Sequence, residues 1–255
     1  MLDFPYTVDG EGPLIVFSYR LGKIAWGSLD EIKQTHTVVV IDWPKAQVDP
    51  ALQISHGWFG PLVKKLGHER SALCTWSMGA PAAIRFAAKN PRELSQLILV
   101  DPAGLGSVPP RARAKYMPHA VITRLRGKPT RGYVRMLWRN WIHNRAVDSR
   151  SLEDAMWEFW STPGAFTRNQ QNIAQVVKTP LTDSLTNIQA PTLILTGRHS
   201  TVLGPALAES AAAALPIGDL KVFENSAHTL QLEEPEMFST CVLEFLHQTT
   251  AREGF

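Results

Sequence analysis

Hydrophobic positions along the chain fall into two rhythms. Short, nearly continuous apolar runs recur at Leu14–Phe17, Val38–Ile41, Ala72–Thr75, Leu97–Val100, Thr192–Thr196 and Leu220–Phe223. Runs of this kind predict strands covered on both faces. Longer amphipathic stretches between them predict helices over Trp58–Leu66, Met78–Asn90, Pro205–Leu215 and Pro235–Gln248. In the last of these, Met237, Cys241 and Phe245, with Val242 and Leu246 beside them, form one apolar stripe at helical spacing. The alternation reads as βαβ units, so the expected class is α/β, with a mostly parallel central sheet and helices on both faces. The rhythm breaks from about 105 to 183. That segment is helical in pattern, offers no strand, and is interrupted by Pro109, Pro110, Pro118, Pro129 and Pro163. The expected organisation is a core of residues 1–104 and 184–255 with a helical insertion at 105–183.

Composition narrows the chemistry. With 44% hydrophobic and 19% charged residues over 255 positions, the chain can bury its own core, which excludes disorder. Its two cysteines, Cys74 and Cys241, exclude a disulfide scaffold or a cysteine-rich zinc module. No histidines pair at metal spacing, and neither a Lys-bearing phosphate loop nor a G-x-G-x-x-G follows a strand. The expectation is no metal and no organic cofactor. Met1-Leu2-Asp3 begins no leader pattern. The most apolar stretch, Ser71–Ala88, is broken by Thr75, Ser77, Gly79, Pro81 and Arg85, so no transmembrane segment and a cytoplasmic location are expected.

Charge is uneven. The net charge is only +3, yet Arg111–Arg150 holds eleven Lys or Arg against one acid, Asp148. Such a run is either a solvated face or a field that draws an anionic or carrier-linked small-molecule substrate. No nucleic-acid motif accompanies it, so nucleic acid is not an expected partner.

Two short motifs carry the chemistry. Thr75-Trp76-Ser77-Met78-Gly79-Ala80 follows a predicted strand and opens a predicted helix. A serine on so sharp a turn projects its hydroxyl over the sheet edge, and the next backbone N–H faces a developing oxyanion. Thr75 stands where the strict G-x-S-x-G pattern has glycine, and a plain helix cap by Ser77 is the alternative. Asn225-Ser226-Ala227-His228 follows the last predicted strand and precedes Glu233-Glu234-Pro235-Glu236. A histidine there can serve a serine on the same edge as general base.

These pieces, with Leu97-Ile98-Leu99-Val100-Asp101-Pro102-Ala103-Gly104 and Ala190-Pro191-Thr192-Leu193-Ile194-Leu195-Thr196-Gly197, resemble the α/β-hydrolase superfamily, in its capped esterase and C–C-hydrolase branch. The resemblance implies an α/β-hydrolase fold, the insertion as a helical cap, and a serine mechanism with Ser77 as nucleophile and His228 as base. It also exposes three departures. Where the family commonly has His-Gly, supplying half of its oxyanion hole, this chain has Ser18-Tyr19-Arg20-Leu21-Gly22, so the expected donors are the N–H groups of Arg20 and Met78. Where the family usually places its acid, after the Pro-Thr-Leu strand, stands Ser200. Asp101 is the expected replacement and Asp42 the weaker candidate. The loop Asp42-Trp43-Pro44-Lys45-Ala46-Gln47 lacks the family's frequent Gly-His-Gly.

Cap aromatics Tyr116, Tyr133, Trp138, Trp141, Trp157, Phe159, Trp160 and Phe166 either line a substrate chamber or form the cap's own core. Tyr19, Trp76, Trp138, Trp141 and Trp160 are the expected substrate contacts. The implied activity is hydrolysis of an ester, thioester or lactone through an acyl-enzyme. The alternatives are C–C cleavage, acyl transfer, cyclisation or cofactor-free chemistry on the same fold, or a ligand-binding protein that keeps the serine and histidine as relics.

Overall fold

The structure, a computed structural model, describes residues 4–42, 57–106, 128–178 and 181–253, together with 121 and 126. Seven strands form one sheet: β1 (Tyr6–Asp9), β2 (Leu14–Ser18), β3 (Thr37–Ile41), β4 (Ser71–Trp76), β5 (Leu94–Val100), β6 (Thr192–Gly197) and β7 (Gly218–Phe223). Their order is β1-β3-β2-β4-β5-β6-β7. Only the β1–β3 pair is antiparallel. All six predicted strands form. β1 escaped the pattern because it is a short edge strand whose residues are mostly exposed, so it carries no apolar run. β7 departs from the fully covered strands expected, alternating half-buried and exposed positions along most of its length because it closes the other edge.

Side chains on the paired strands alternate between two apolar layers. On one face Ile15, Phe17, Cys74, Ile98, Val100 and Leu195 meet Phe238, Val242 and Phe245 of the C-terminal helix. On the other, Leu14, Val16, Leu73, Leu97, Leu99 and Ile194 meet α1 (Phe59–Lys65) and α2 (Ala80–Lys89). The predicted helices are therefore all present, as α1, α2, α6 (Pro205–Ala214) and α7 (Pro235–Glu253).

Between β5 and β6 lie α3 (Arg131–Trp141), α4 (Ser149–Ser161) and α5 (Ala165–Lys178), with no strand among the described residues. Two polar caps start them where the sequence offers a side-chain acceptor. Thr130 Oγ1 accepts from the Tyr133 N–H at 3.1 Å, and Asp148 Oδ1 from the Arg150 N–H at 3.0 Å. The stretches 43–56 and 107–120, which hold the Asp42–Gln47 loop beyond its first residue and Tyr116, lie outside the described residues.

The basic run looks different in space. Arg131 pairs with Asp154 of α4, and Arg135 Nε lies 3.4 Å from Glu153 Oε2. Helix pairing thus brings acids from beyond the run onto its cations. Exposed pairs of this kind contribute little stability, but they reduce the positive field expected from the linear count.

Just before β3, His36 is buried, its Nδ1 is 2.9 Å from Thr35 Oγ1, and its ring stacks on His247. Burial, and then the His247 charge, holds its pKa below the usual histidine value. The unfolded chain takes up this proton near about pH 6.5 while the folded chain still refuses it. The contribution is therefore fully present above that value and is lost as pH falls through the lower folded-state value. Urea midpoints are expected to fall between about pH 7 and 5, with a smaller fall in His36→Gln; equal slopes in both proteins would remove His36 as a cause.

Candidate active site

Parallel pairing brings several chain crossovers to one sheet edge. β2 and β4 run in register Ser18↔Thr75, and β4 and β5 in register Trp76↔Val100. The residues that follow these strands, Tyr19-Arg20, Ser77-Met78 and Asp101, therefore leave the sheet side by side. Ser77 opens a tight turn, Ser77–Gly79, ahead of α2. Its φ is +52°, and that of Asp101 is +37°, both in the region L-residues avoid. Such a conformation costs of order 1–3 kcal/mol and persists only where the surroundings impose it.

Thr75 explains its own presence. Its hydroxyl donates to Ser18 O at 3.0 Å, in space that Gly79 leaves open: a Cβ on Gly79 would fall 2.1 Å from Thr75 Oγ1. The strand-end glycine of the strict motif is exchanged for a threonine that ties β4 to β2, and the glycine after the serine makes room for it.

The imidazole of His228 joins the two other polar groups expected beside it. Its Nε2 is 2.9 Å from Ser77 Oγ, and its Nδ1 bonds Asp101 Oδ2. His228 and Asp101 are fully buried, and Ser77 nearly so. Asp101 takes two further bonds: Thr196 Oγ1 donates to Oδ1 at 2.7 Å and Ser200 Oγ to Oδ2 at 2.6 Å. Ser200 is thus bonded to the carboxylate that stands beside His228. Asp42 follows β3, which β2 and β4 separate from β5 in the sheet.

The loop that carries His228 is fastened from several sides. Its N–H donates to Trp141 O at 2.9 Å, at the end of α3, and its carbonyl accepts from Trp76 Nε1 at 2.9 Å. Gly197, ending β6, lies so close to this loop that a Cβ would fall 2.0 Å from Ala227 O. Glu233 completes the fastening. Its Oε1 accepts from the Ala227 N–H at 3.0 Å and Thr229 Oγ1 at 2.8 Å; its Oε2 accepts from the N–H groups of His143 at 2.6 Å and Asn144 at 2.8 Å. One buried carboxylate thereby spans both sides of His228 and the exit of α3. The rings of His143 and His199 stack at 3.8 Å on the same junction. Sequence reasoning missed this role of Glu233; the signal was an acid five residues past the histidine, in a segment otherwise buried.

Aromatic residues surround the imidazole. Trp76 and Trp141 approach the His228 ring at 5.2 and 5.0 Å between centroids, and Trp138 packs on both. Tyr19 lies 4.3 Å from Trp76. Trp160, also an expected substrate contact, belongs to a second aromatic group. It packs with Tyr133 and Phe166 at 6.1 and 5.3 Å, because it points into the seam of the three helices. Trp157 carries the Arg131 guanidinium over its ring at 5.1 Å. The Arg20 side chain bonds Asn169 of α5 and lies over the Tyr19 ring at 5.3 Å. Among the described residues no group of three His, Cys, Asp or Glu is placed to hold a metal ion, and no helix is long and apolar enough to cross a membrane.

Comparison with known proteins places this geometry. The alpha/beta hydrolase family matches residues 19–240. A Pseudomonas putida 2-hydroxy-6-oxononadienedioate/2-hydroxy-6-oxononatrienedioate hydrolase is 28% identical over 197 residues, 72% of this chain and 65% of its own. Carboxylesterase YbfK of Bacillus subtilis is 25% identical over 194 residues, 74% of this chain and 62% of its own. The chain thus matches a little under two thirds of the length of each. Among solved structures, the enol-lactonase of Burkholderia xenovorans LB400 is similar with a TM-score of 0.72 at 20% identity, covering 96% of both chains. A thermophilic esterase of Thermogutta terrifontis gives 0.73 at 21%, covering 97% of this chain and 93% of its own.

Exchanging Glu233 for Gln would set an amide NH2 against two donors. The expected cost is about 2–4 kcal/mol, or about 5–15 °C in Tm for a chain this long. Glu236→Gln, at an exposed position, serves as the control. Equal melting temperatures for the two variants in a thermal scan would overturn the role given to Glu233.

Proposed function

The chain belongs to the alpha/beta hydrolase family, and on that premise we propose that it is a serine hydrolase of a small-molecule ester, thioester or lactone. The observation that carries this is a single buried imidazole bonded through opposite nitrogens to a serine hydroxyl and a buried carboxylate. Ser77 Oγ attacks the carbonyl carbon while His228 Nε2 takes its proton. Asp101 holds the Nδ1–H, which fixes the tautomer and stabilises the imidazolium as it forms. The carbonyl electron pair moves onto its oxygen, where the N–H groups of Met78 and Arg20 receive it. When the carbonyl re-forms, the leaving group departs with the proton from His228. Water then repeats the sequence on the acyl-enzyme.

Helices α3 to α5 act in this reading as the cap, with residues 105–183 as its extent. Trp138 and Trp141, with Tyr19 and Trp76, wall the acyl chamber and keep water from the imidazole. The Pseudomonas putida relative favours a second reading, since the compound in its name is a keto dioate without an ester. The same three groups would then cleave a carbon–carbon bond beside a ketone.

Labelling with a fluorophosphonate tests the nucleophile. Modification is expected at Ser77 and is lost in Ser77→Ala; an unlabelled wild type would leave a binding protein. Asp101→Asn is expected to lower kcat by about 10⁴-fold, the cost of holding the wrong tautomer. Ser200→Ala, which leaves the carboxylate in place, is expected to retain most activity. A fully active Asp101→Asn removes Asp101 from the mechanism.

A further inference from the structure

Tyr19 occupies the second position of the dipeptide that the resemblance expects to be His-Gly, directly after β2 and beside the Ser77 turn. Its ring is locked. Trp76 lies 4.3 Å away and the Arg20 guanidinium 5.3 Å from the ring centroid, while Arg20 is itself anchored by Asn169. The side chain is 2% exposed, and its hydroxyl has no hydrogen-bond partner among the described residues. Against the larger effect of burial, which raises the phenol pKa, the Arg20 guanidinium and the Ser77 hydroxyl hold it down.

A buried hydroxyl without an acceptor is unfavourable, and phenylalanine would fill the same space without it. Trp26, Trp138 and Trp160 also bury N–H groups with no partner. An indole cannot lose its N–H without losing the ring, whereas tyrosine needs only one oxygen removed. The retained hydroxyl, next to Ser77, therefore points to an acceptor that arrives with the substrate.

We propose that the Tyr19 hydroxyl is a side-chain donor of the oxyanion hole, adding a third hydrogen bond to the oxygen that becomes negative when Ser77 attacks. The inference rests on the serine-hydrolase reading. No proton leaves Tyr19: the Ser77 proton goes to His228, the carbonyl pair goes to oxygen, and the phenol O–H shortens its bond to that oxygen and relaxes when the carbonyl re-forms. Burial pushes the Tyr19 pKa above that of an ordinary phenol, so the group stays protonated and able to donate at neutral pH. A donor held by packing before the charge forms needs no reorganisation, the condition under which such bonds act most strongly.

The test compares Tyr19→Phe with wild type on p-nitrophenyl acetate, on an alkyl trifluoromethyl ketone that forms a hemiketal oxyanion, and in a thermal melt. The expected result is a kcat lower by about 10²-fold, as for loss of one oxyanion donor. KM should change less than about twofold, and ketone affinity should fall by a factor close to that in kcat. Tm should stay the same or rise, because the lost hydroxyl had no partner. Unchanged kcat and ketone affinity would overturn the proposal. So would a loss confined to KM, which marks ground-state recognition, or a fall in Tm, which marks a structural bond. Fluorophosphonate labelling of wild-type Ser77 separates the two levels. A wild type that labels while Tyr19→Phe behaves identically defeats this inference alone; a wild type that neither labels nor turns over the ester defeats the hydrolase reading beneath it.

Discussion

A carboxylate removed from water must have its oxygens met by donors or counter-charges, and Asp101 is fully buried. Three side chains meet it: Thr196 at the end of β6, Ser200 in the turn beyond, and His228 in the loop after β7. Satisfying this one group therefore fixes the relative positions of three chain segments at the carboxyl edge of the sheet. The strained backbone at Ser77 and Asp101 is held by the same assembly. The Ala103 N–H donates to Ser77 O at 3.1 Å, and the Asp101 N–H to Leu195 O at 2.7 Å. Each turn is braced by a neighbouring strand or by the other turn, which is how an unfavourable φ persists.

A second buried carboxylate extends the assembly to the helices between β5 and β6. Glu233 accepts from the Ala227 N–H and the Thr229 hydroxyl on either side of His228, and from the backbone at the exit of α3. With the His228 N–H on Trp141 O, the histidine loop and α3 form one hydrogen-bonded unit. Rotating α3 away from the sheet would break bonds to the residue that carries the imidazole. Orientation of the histidine and closure of the aromatic wall are consequently one structural state rather than two.

The fold was legible because each core strand is an apolar run and each flanking helix carries an apolar stripe; β1, with neither, was not. Ser77, His228 and Asp101 were legible as residues that the strand pattern places at one edge. What escaped the sequence is what depends on approach between distant segments. Trp160 has the same composition signal as Trp138, and only helix packing decides that one enters the seam with Tyr133 and Phe166 while the other meets Trp76. The basic run shows the same limit. Its acids, Glu153 and Asp154, lie just past its end and reach it only when α4 folds back along α3.

The departure at position 200 has a geometric rationale. β5 and β6 are adjacent and in register, Val100↔Leu195, so residues leaving the two strands reach the same volume beside His228. The separation between neighbouring strands is about 4.8 Å, within the span of an aspartate side chain and a hydrogen bond. A carboxylate can thus issue from either strand end and meet the same Nδ1. Ser200 Oγ, 2.6 Å from Asp101 Oδ2, now fills the remaining space as a donor. A second carboxylate at the half-buried position 200 would face the first at hydrogen-bond distance, and like charges that close disfavour each other's ionisation. Serine at 200 suits a carboxylate at 101: its hydroxyl donates to the group that issues from β5, where a second carboxylate would repel it.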